Sequence, residues 1–212
     1  MDAMKPFQIY RILLLILLCL SPAISNAQST ILVFGDSLSA GYGIPREAAW
    51  ASLLEVELQR THSHYKVVNA SISGETTSGG MQRLPATLKE HRPSIVIIEL
   101  GANDGLRGTP LNITEKNLDA LIKFTQKSGA KVLLLGMQLP PNYGIDYTRR
   151  FKTLYPKLAK NNRITLVPFM LEGIAAEQFQ ADNLHPTAEA QPRILETVMQ
   201  RLKPMLSEST GS

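Results

Sequence analysis

Cysteine is nearly absent from this chain of 212 residues, which holds one, Cys19. That residue lies inside the apolar run 12–20 and follows Leu18, not the small residue that lipid attachment at a cysteine would need. Disulfides, thiol chemistry and cysteine metal sites are thereby excluded from everything after the run. A chain of this size, 44% hydrophobic, can bury a core without such staples. A strong charge bias is lacking too: 22 Lys and Arg face 18 Asp and Glu, and the basic residues are scattered. That pattern leaves no electrostatic footprint for nucleic acid. No apolar run reaches the roughly 20 residues that span a bilayer. Internal repeats, low-complexity tracts and long linkers are also missing, so one domain is expected.

The N-terminus has its own logic. Lys5 and Arg11 precede the apolar run, and Ser25-Asn26-Ala27 places small residues where a signal peptidase cuts. These are the three regions of a secretory signal peptide. The competing reading is an uncleaved anchor. Cleavage after Ala27 leaves residues 28–212 with a net charge of about +3, exported to the periplasm or secreted, with no stable membrane anchor.

Five apolar runs read as strands, at 31–34, 67–69, 95–100, 132–137 and 164–169. Several are continuous and not alternating, as in strands covered on both faces. Helical patterns lie between them at 48–60, 81–91, 114–128, 146–160 and 187–205, the first with Trp50, Leu53, Leu54 and Leu58 on one stripe. Strands alternating with helices predict an α/β fold with a five-stranded parallel sheet and helices on both faces. The irregular segments 71–80, 101–113 and 138–145 each follow a strand, on the edge where open α/β sheets carry their sites.

The first of those strand ends is "ILVFGDSLSAGYG", residues 31–43. No lysine follows Gly41 or Gly43, so this is not a phosphate loop, and the glycine spacing is not a dinucleotide fingerprint. The Gly-x-Ser-x-Gly elbow fails because Ser39 stands where its second glycine belongs. Ser37 at a strand tip is left open between a helix cap, a turn residue and a nucleophile. A nucleophilic hydroxyl needs a base. Of four histidines, His62, His64 and His91 read as solvated surface residues. His185 lies in "DNLHP", three residues after Asp182, close enough for a carboxylate to orient the imidazole if the turn is tight. An Asx-type turn with an incidental histidine fits the same letters. Gly74 in "NASISGETT" and Asn103 in "IELGANDGLRG" follow the second and third strands and can offer donors to a developing oxyanion. Each also fits an ordinary turn. The four features come from four loops of one sheet edge, which favours a shared site.

"GDSLS", the glycine of "SGET", "GAND" and "DNLH" resemble the four blocks of the GDSL or SGNH hydrolases. "LPPNYG", "YPKLAK" and "HPTAEAQP" extend the likeness, which covers nearly all of residues 30–206, toward that family's exported bacterial thioesterase, lysophospholipase and arylesterase branch. The resemblance implies a flavodoxin-like three-layer α/β/α sandwich and hydrolysis of acyl esters and thioesters with no metal or other cofactor. It implies Ser37 as nucleophile, His185 as general base and acid, and Asp182 as its orienter. The N–H groups of Ser37 and Gly74 and the side chain of Asn103 would form the oxyanion hole. Leu106, Met137, Leu139, Pro140 and Tyr143 are candidate walls of an acyl groove, and Gly105 and Gly108 candidate hinges of the 101–113 segment. The expected partner is a small acyl ester or lipid, with lysophospholipid or aryl esters favoured over acyl-CoA outside the cytoplasm. The sequence leaves the oligomeric state open. The rivals are a carbohydrate O-deacetylase on the same scaffold and a non-catalytic flavodoxin-like binding protein.

Overall fold

The computed structural model describes residues 28–206. The segment read as a signal peptide lies outside the described residues.

Five parallel strands form one sheet: β1 Ser29–Gly35, β2 Tyr65–Asn69, β3 Ile95–Glu99, β4 Lys131–Leu135 and β5 Thr165–Val167, in the order β2-β1-β3-β4-β5. Seven α-helices occur among the described residues: α1 Ser37–Ala40, α2 Trp50–Thr61, α3 Thr77–His91, α4 Ala102–Leu106, α5 Leu111–Lys127, α6 Ile145–Asn162 and α7 Gln191–Leu202. They pack in two groups, α2 with α7, and α5 with both α3 and α6, giving three layers. The continuous apolar strands are the central ones. Ile31 to Phe34 of β1 and Val96 to Ile98 of β3 are fully buried, whereas Val67 and Val68 of edge strand β2 are only half-buried. A strand covered by helices on both faces has no reason to alternate.

The element boundaries moved where local chemistry overrode pattern. Helix α3 begins at Thr77, before the expected 81, despite Gly79 and Gly80 in its first turn. The Thr76 hydroxyl accepts the Gly79 N–H at 3.2 Å, and the buried Asp104 carboxylate accepts the Thr77 N–H at 2.8 Å. Capping outweighs the low helix propensity of glycine there. The expected irregular segment 101–113 contains α4 and the start of α5. Gly105 sits buried inside α4, where a Cβ would lie 2.7 Å from Leu139 and 2.9 Å from Phe151. Its role is close packing, which argues against a hinge at that position. The long C-terminal pattern 187–205 resolves into α7 flanked by two 3-10 turns, with Pro192 in the first turn of α7 and Pro204 in the turn after it.

Because all strands are parallel, the segments leaving their carboxyl ends gather on one edge. The chain order reverses between β1 and β3, and the crevice at such a reversal is where this class of sheet places its ligands.

Candidate active site

Ser37 is the first residue of α1, directly beyond β1. Asp36 caps that short helix by accepting the Leu38 N–H at 3.0 Å, and Gly41 ends it in the left-handed conformation. The turn is too tight for Ser37 to continue the strand, so its hydroxyl stands at the sheet edge, half-buried. His185 arrives from the segment between β5 and α7. Its Nε2 lies 2.8 Å from Ser37 Oγ, and its Nδ1 lies 2.7 Å from Asp182 Oδ2. The turn that makes Asp182 and His185 neighbours is closed by Asp182 itself. Its Oδ1 accepts the N–H groups of Leu184 at 2.9 Å and His185 at 3.0 Å, with Asn183 left-handed between. Both readings of the tetrapeptide therefore hold at once: it is an Asx turn, and that turn aims the imidazole.

The electrostatics follow from these contacts. Desolvation works against the Asp182 carboxylate, but the His185 N–H, the imidazole and the Leu184 N–H outweigh it and hold the group at about 2. Asp182 thus stays negative next to Nδ1, which keeps the proton there and leaves the Nε2 lone pair facing Ser37.

Gly74, with φ of 79°, and Asn103, in the first turn of α4, border the same cavity as Ser37 and His185. The cavity measures about 430 Å³. Leu106, Met137, Leu139 and Pro140 line it as expected for an apolar groove, whereas Tyr143 lies outside the lining, in a 3-10 turn beyond Pro140. Sequence reading missed further apolar walls, among them Tyr42, Phe169 and Phe179. Tyr42 also packs on the imidazole, ring centroids 4.6 Å apart, and its carbonyl accepts from Gln180 Nε2 at 2.8 Å, tying the serine loop to the histidine loop. Nothing in local spacing links positions 42 and 180.

Asp36 was legible only as a turn residue. It is also buried, and its Oδ2 accepts one amide hydrogen of Asn103 at 2.9 Å. The NH2 group carries two hydrogens, so the second is left for the cavity. Burial pushes Asp36 up to about 6, against the opposing pull of the Leu38 N–H, Glu99, Asn103 and His185. Between its ordinary 3.8 and about 6 the folded chain therefore binds more protons at Asp36 than the unfolded chain, and this residue's contribution to stability falls as pH rises through that window. Asp36→Asn removes the titration. Relative to the parent, its urea midpoint should improve between about pH 4 and about pH 7. Parallel pH curves for the two proteins would refute this.

Among the described residues no group of three or more His, Cys, Asp or Glu is placed to hold a metal ion, and no helix is long and apolar enough to cross a membrane.

The family model described as GDSL-like Lipase/Acylhydrolase matches residues 33–192. The chain belongs to that family. It is 49% identical to Esterase TesA of Pseudomonas aeruginosa over 182 residues, 85% of this chain and 90% of the relative. It is 42% identical to Thioesterase 1/protease 1/lysophospholipase L1 of Escherichia coli K12 over 186 residues, 87% of this chain and 88% of the relative. A crystal structure of TesA superposes with a TM-score of 0.82 at 48% identity, covering 84% of this chain and all of that one. The α/β architecture expected from the alternating pattern is the architecture of this family.

Proposed function

We propose that this member of the GDSL-like lipase/acylhydrolase family is a serine esterase that hydrolyses acyl esters and thioesters through a covalent acyl-enzyme. The observation that carries the reading is the Ser37–His185–Asp182 chain, at 2.8 and 2.7 Å, opening on an apolar cavity. Ser37 Oγ attacks the acyl carbonyl carbon while His185 Nε2 takes its proton. The carbonyl oxygen becomes an oxyanion, held by the N–H groups of Ser37 and Gly74 and the free amide hydrogen of Asn103. Collapse of the tetrahedral adduct breaks the bond to the alcohol or thiol, which leaves with the proton from His185. Water then attacks the acyl-serine with His185 as base, releasing the carboxylic acid and restoring Ser37. Preorganised donors of this kind are each worth about 10²–10³ in rate.

The cavity walls of Leu106, Met137, Leu139 and Pro140 suit an acyl chain longer than acetyl. Lysophospholipids and aryl esters are the proposed substrate class. A panel of p-nitrophenyl esters and matching thioesters from acetyl to palmitoyl, with a lysophospholipid arm, tests this. Activity that rises beyond acetyl is expected; activity confined to acetyl esters would favour carbohydrate O-deacetylation. Residues 1–27 are proposed to be a signal peptide that directs export. Mass spectrometry of the exported protein should find an N-terminus at Gln28, and retention of Met1–Ala27 in the mature protein would contradict it.

A further inference from the structure

Glu99 ends β3, a strand otherwise written in Ile and Val, and is fully buried. A carboxyl in such a place is costly unless hydrogen bonds engage it. Its Oε2 accepts the Asp36 N–H at 3.1 Å and the Ser39 hydroxyl at 2.8 Å, while Oε1 has no hydrogen-bond partner. Those two donors flank Ser37 on either side. Asp36 in turn holds the Leu38 N–H through one oxygen and the Asn103 amide through the other. One carboxyl therefore underlies both the turn that presents the nucleophile and, one step further, the orientation of an oxyanion donor.

Gly35 strengthens the connection. It pairs with Glu99 across the β1–β3 register, and it does not have a positive φ. The backbone therefore does not demand glycine there. Space does: a Cβ at position 35 would lie 2.6 Å from Glu99 Oε2 and 2.9 Å from Ser39 Oγ. The glycine of the "GDS" block leaves room for the Glu99 carboxyl. Burial and then the negative charge of Asp36 push the Glu99 carboxyl well above its ordinary value, toward the neutral acid, a form in which it still accepts both hydrogen bonds.

We propose that Glu99 is a positioning residue, which acts through Asp36 and Ser39 to hold Ser37 and Asn103 in attacking geometry. The proposal rests on the assignment of Ser37 as nucleophile. What matters in it is an acceptor oxygen at this point, more than a charge.

The test is steady-state kinetics with p-nitrophenyl butyrate on folded Glu99→Gln and Glu99→Leu, with active sites titrated by a fluorophosphonate and melting temperatures recorded. Misplacement of reacting groups by an ångström costs about 10²-fold, so Glu99→Leu should lose about that factor in kcat per titrated site, with KM within about threefold. Glu99→Gln offers an equivalent oxygen to the same two donors and should keep kcat within about fivefold of the parent. A folded Leu variant with parental kcat overturns the proposal, and so does a folded Gln variant that loses as much as the Leu variant. If Glu99→Leu does not fold, Ser39→Ala takes its place; it removes one of the two donors and should lower kcat about tenfold with KM unchanged, and parental kcat there is the overturning result. A parallel Ser37→Ala control separates the two readings, because turnover within tenfold of the parent in that control defeats the nucleophile assignment whatever Glu99 does.

Discussion

Ser37→Ala is expected to keep the fold and abolish hydrolysis. The Ser37 side chain is small and half-buried, and its hydroxyl is hydrogen-bonded to His185 Nε2. Removing that oxygen therefore leaves no large cavity and no fully buried donor without a partner, and the stability change should stay within about 1 kcal/mol. Catalysis has no such tolerance, because the oxygen lost is the atom proposed to form the acyl-enzyme. The kcat with p-nitrophenyl butyrate should therefore fall by about 10⁵-fold or more. A residual rate above water is compatible with this, since the oxyanion donors survive. Covalent labelling by a fluorophosphonate should vanish in the same variant. Turnover within tenfold of the parent, measured on protein with an unchanged melting temperature, would sink the assignment of Ser37 as nucleophile.

The second large effect belongs to Asp182→Asn, and its cause is a tautomer. Oδ1 of Asp182 accepts two backbone N–H groups and an asparagine oxygen accepts them equally well, so the loop should stay closed. The other oxygen, 2.7 Å from His185 Nδ1, becomes an NH2 group. A donor facing Nδ1 forces the ring proton onto Nε2, the nitrogen that must accept from Ser37. The rate should drop by about 10³–10⁴-fold at neutral pH, less than the loss in Ser37→Ala. The imidazolium formed during reaction also loses its counter-charge, a second penalty in the same direction. If Asp182→Asn keeps kcat/KM within tenfold while remaining folded, the carboxylate does not orient the base.

Much of the architecture was readable along the chain because its causes are local or periodic. Continuous apolar runs marked the covered strands, and the 3.6-residue stripe of Trp50, Leu54 and Leu58 marked the buried face of α2. Where the reading slipped, a distant group had intervened. Helix α3 starts early because Asp104, from helix α4, takes the Thr77 N–H. Gly105 looked like a hinge and is a packing position, since Leu139 and Phe151 press on it from elsewhere in the chain. Tyr143 looked like a groove residue from its neighbours Leu139 and Pro140, but a 3-10 turn carries it away from the lining.

The same division runs through the site. The five strands, the helices between them, the layer architecture and the four blocks that mark the family follow from residue type and spacing, which the linear chain carries in full. What the tertiary structure alone decided is which groups meet. Ser37 and His185 are 148 positions apart, and only the parallel sheet brings their loops to one edge at 2.8 Å. Asp36 could be read as a turn residue, yet its grip on Asn103 spans 67 positions. Glu99 could be noticed as an acid in an apolar strand, but the positioning role proposed for it depends on Gly35 lying beside it in the register and on Ser39 folding back over it. Hydrogen bonds and steric fit act over a few ångströms of space, and separation along the chain sets no limit on which residues come that close.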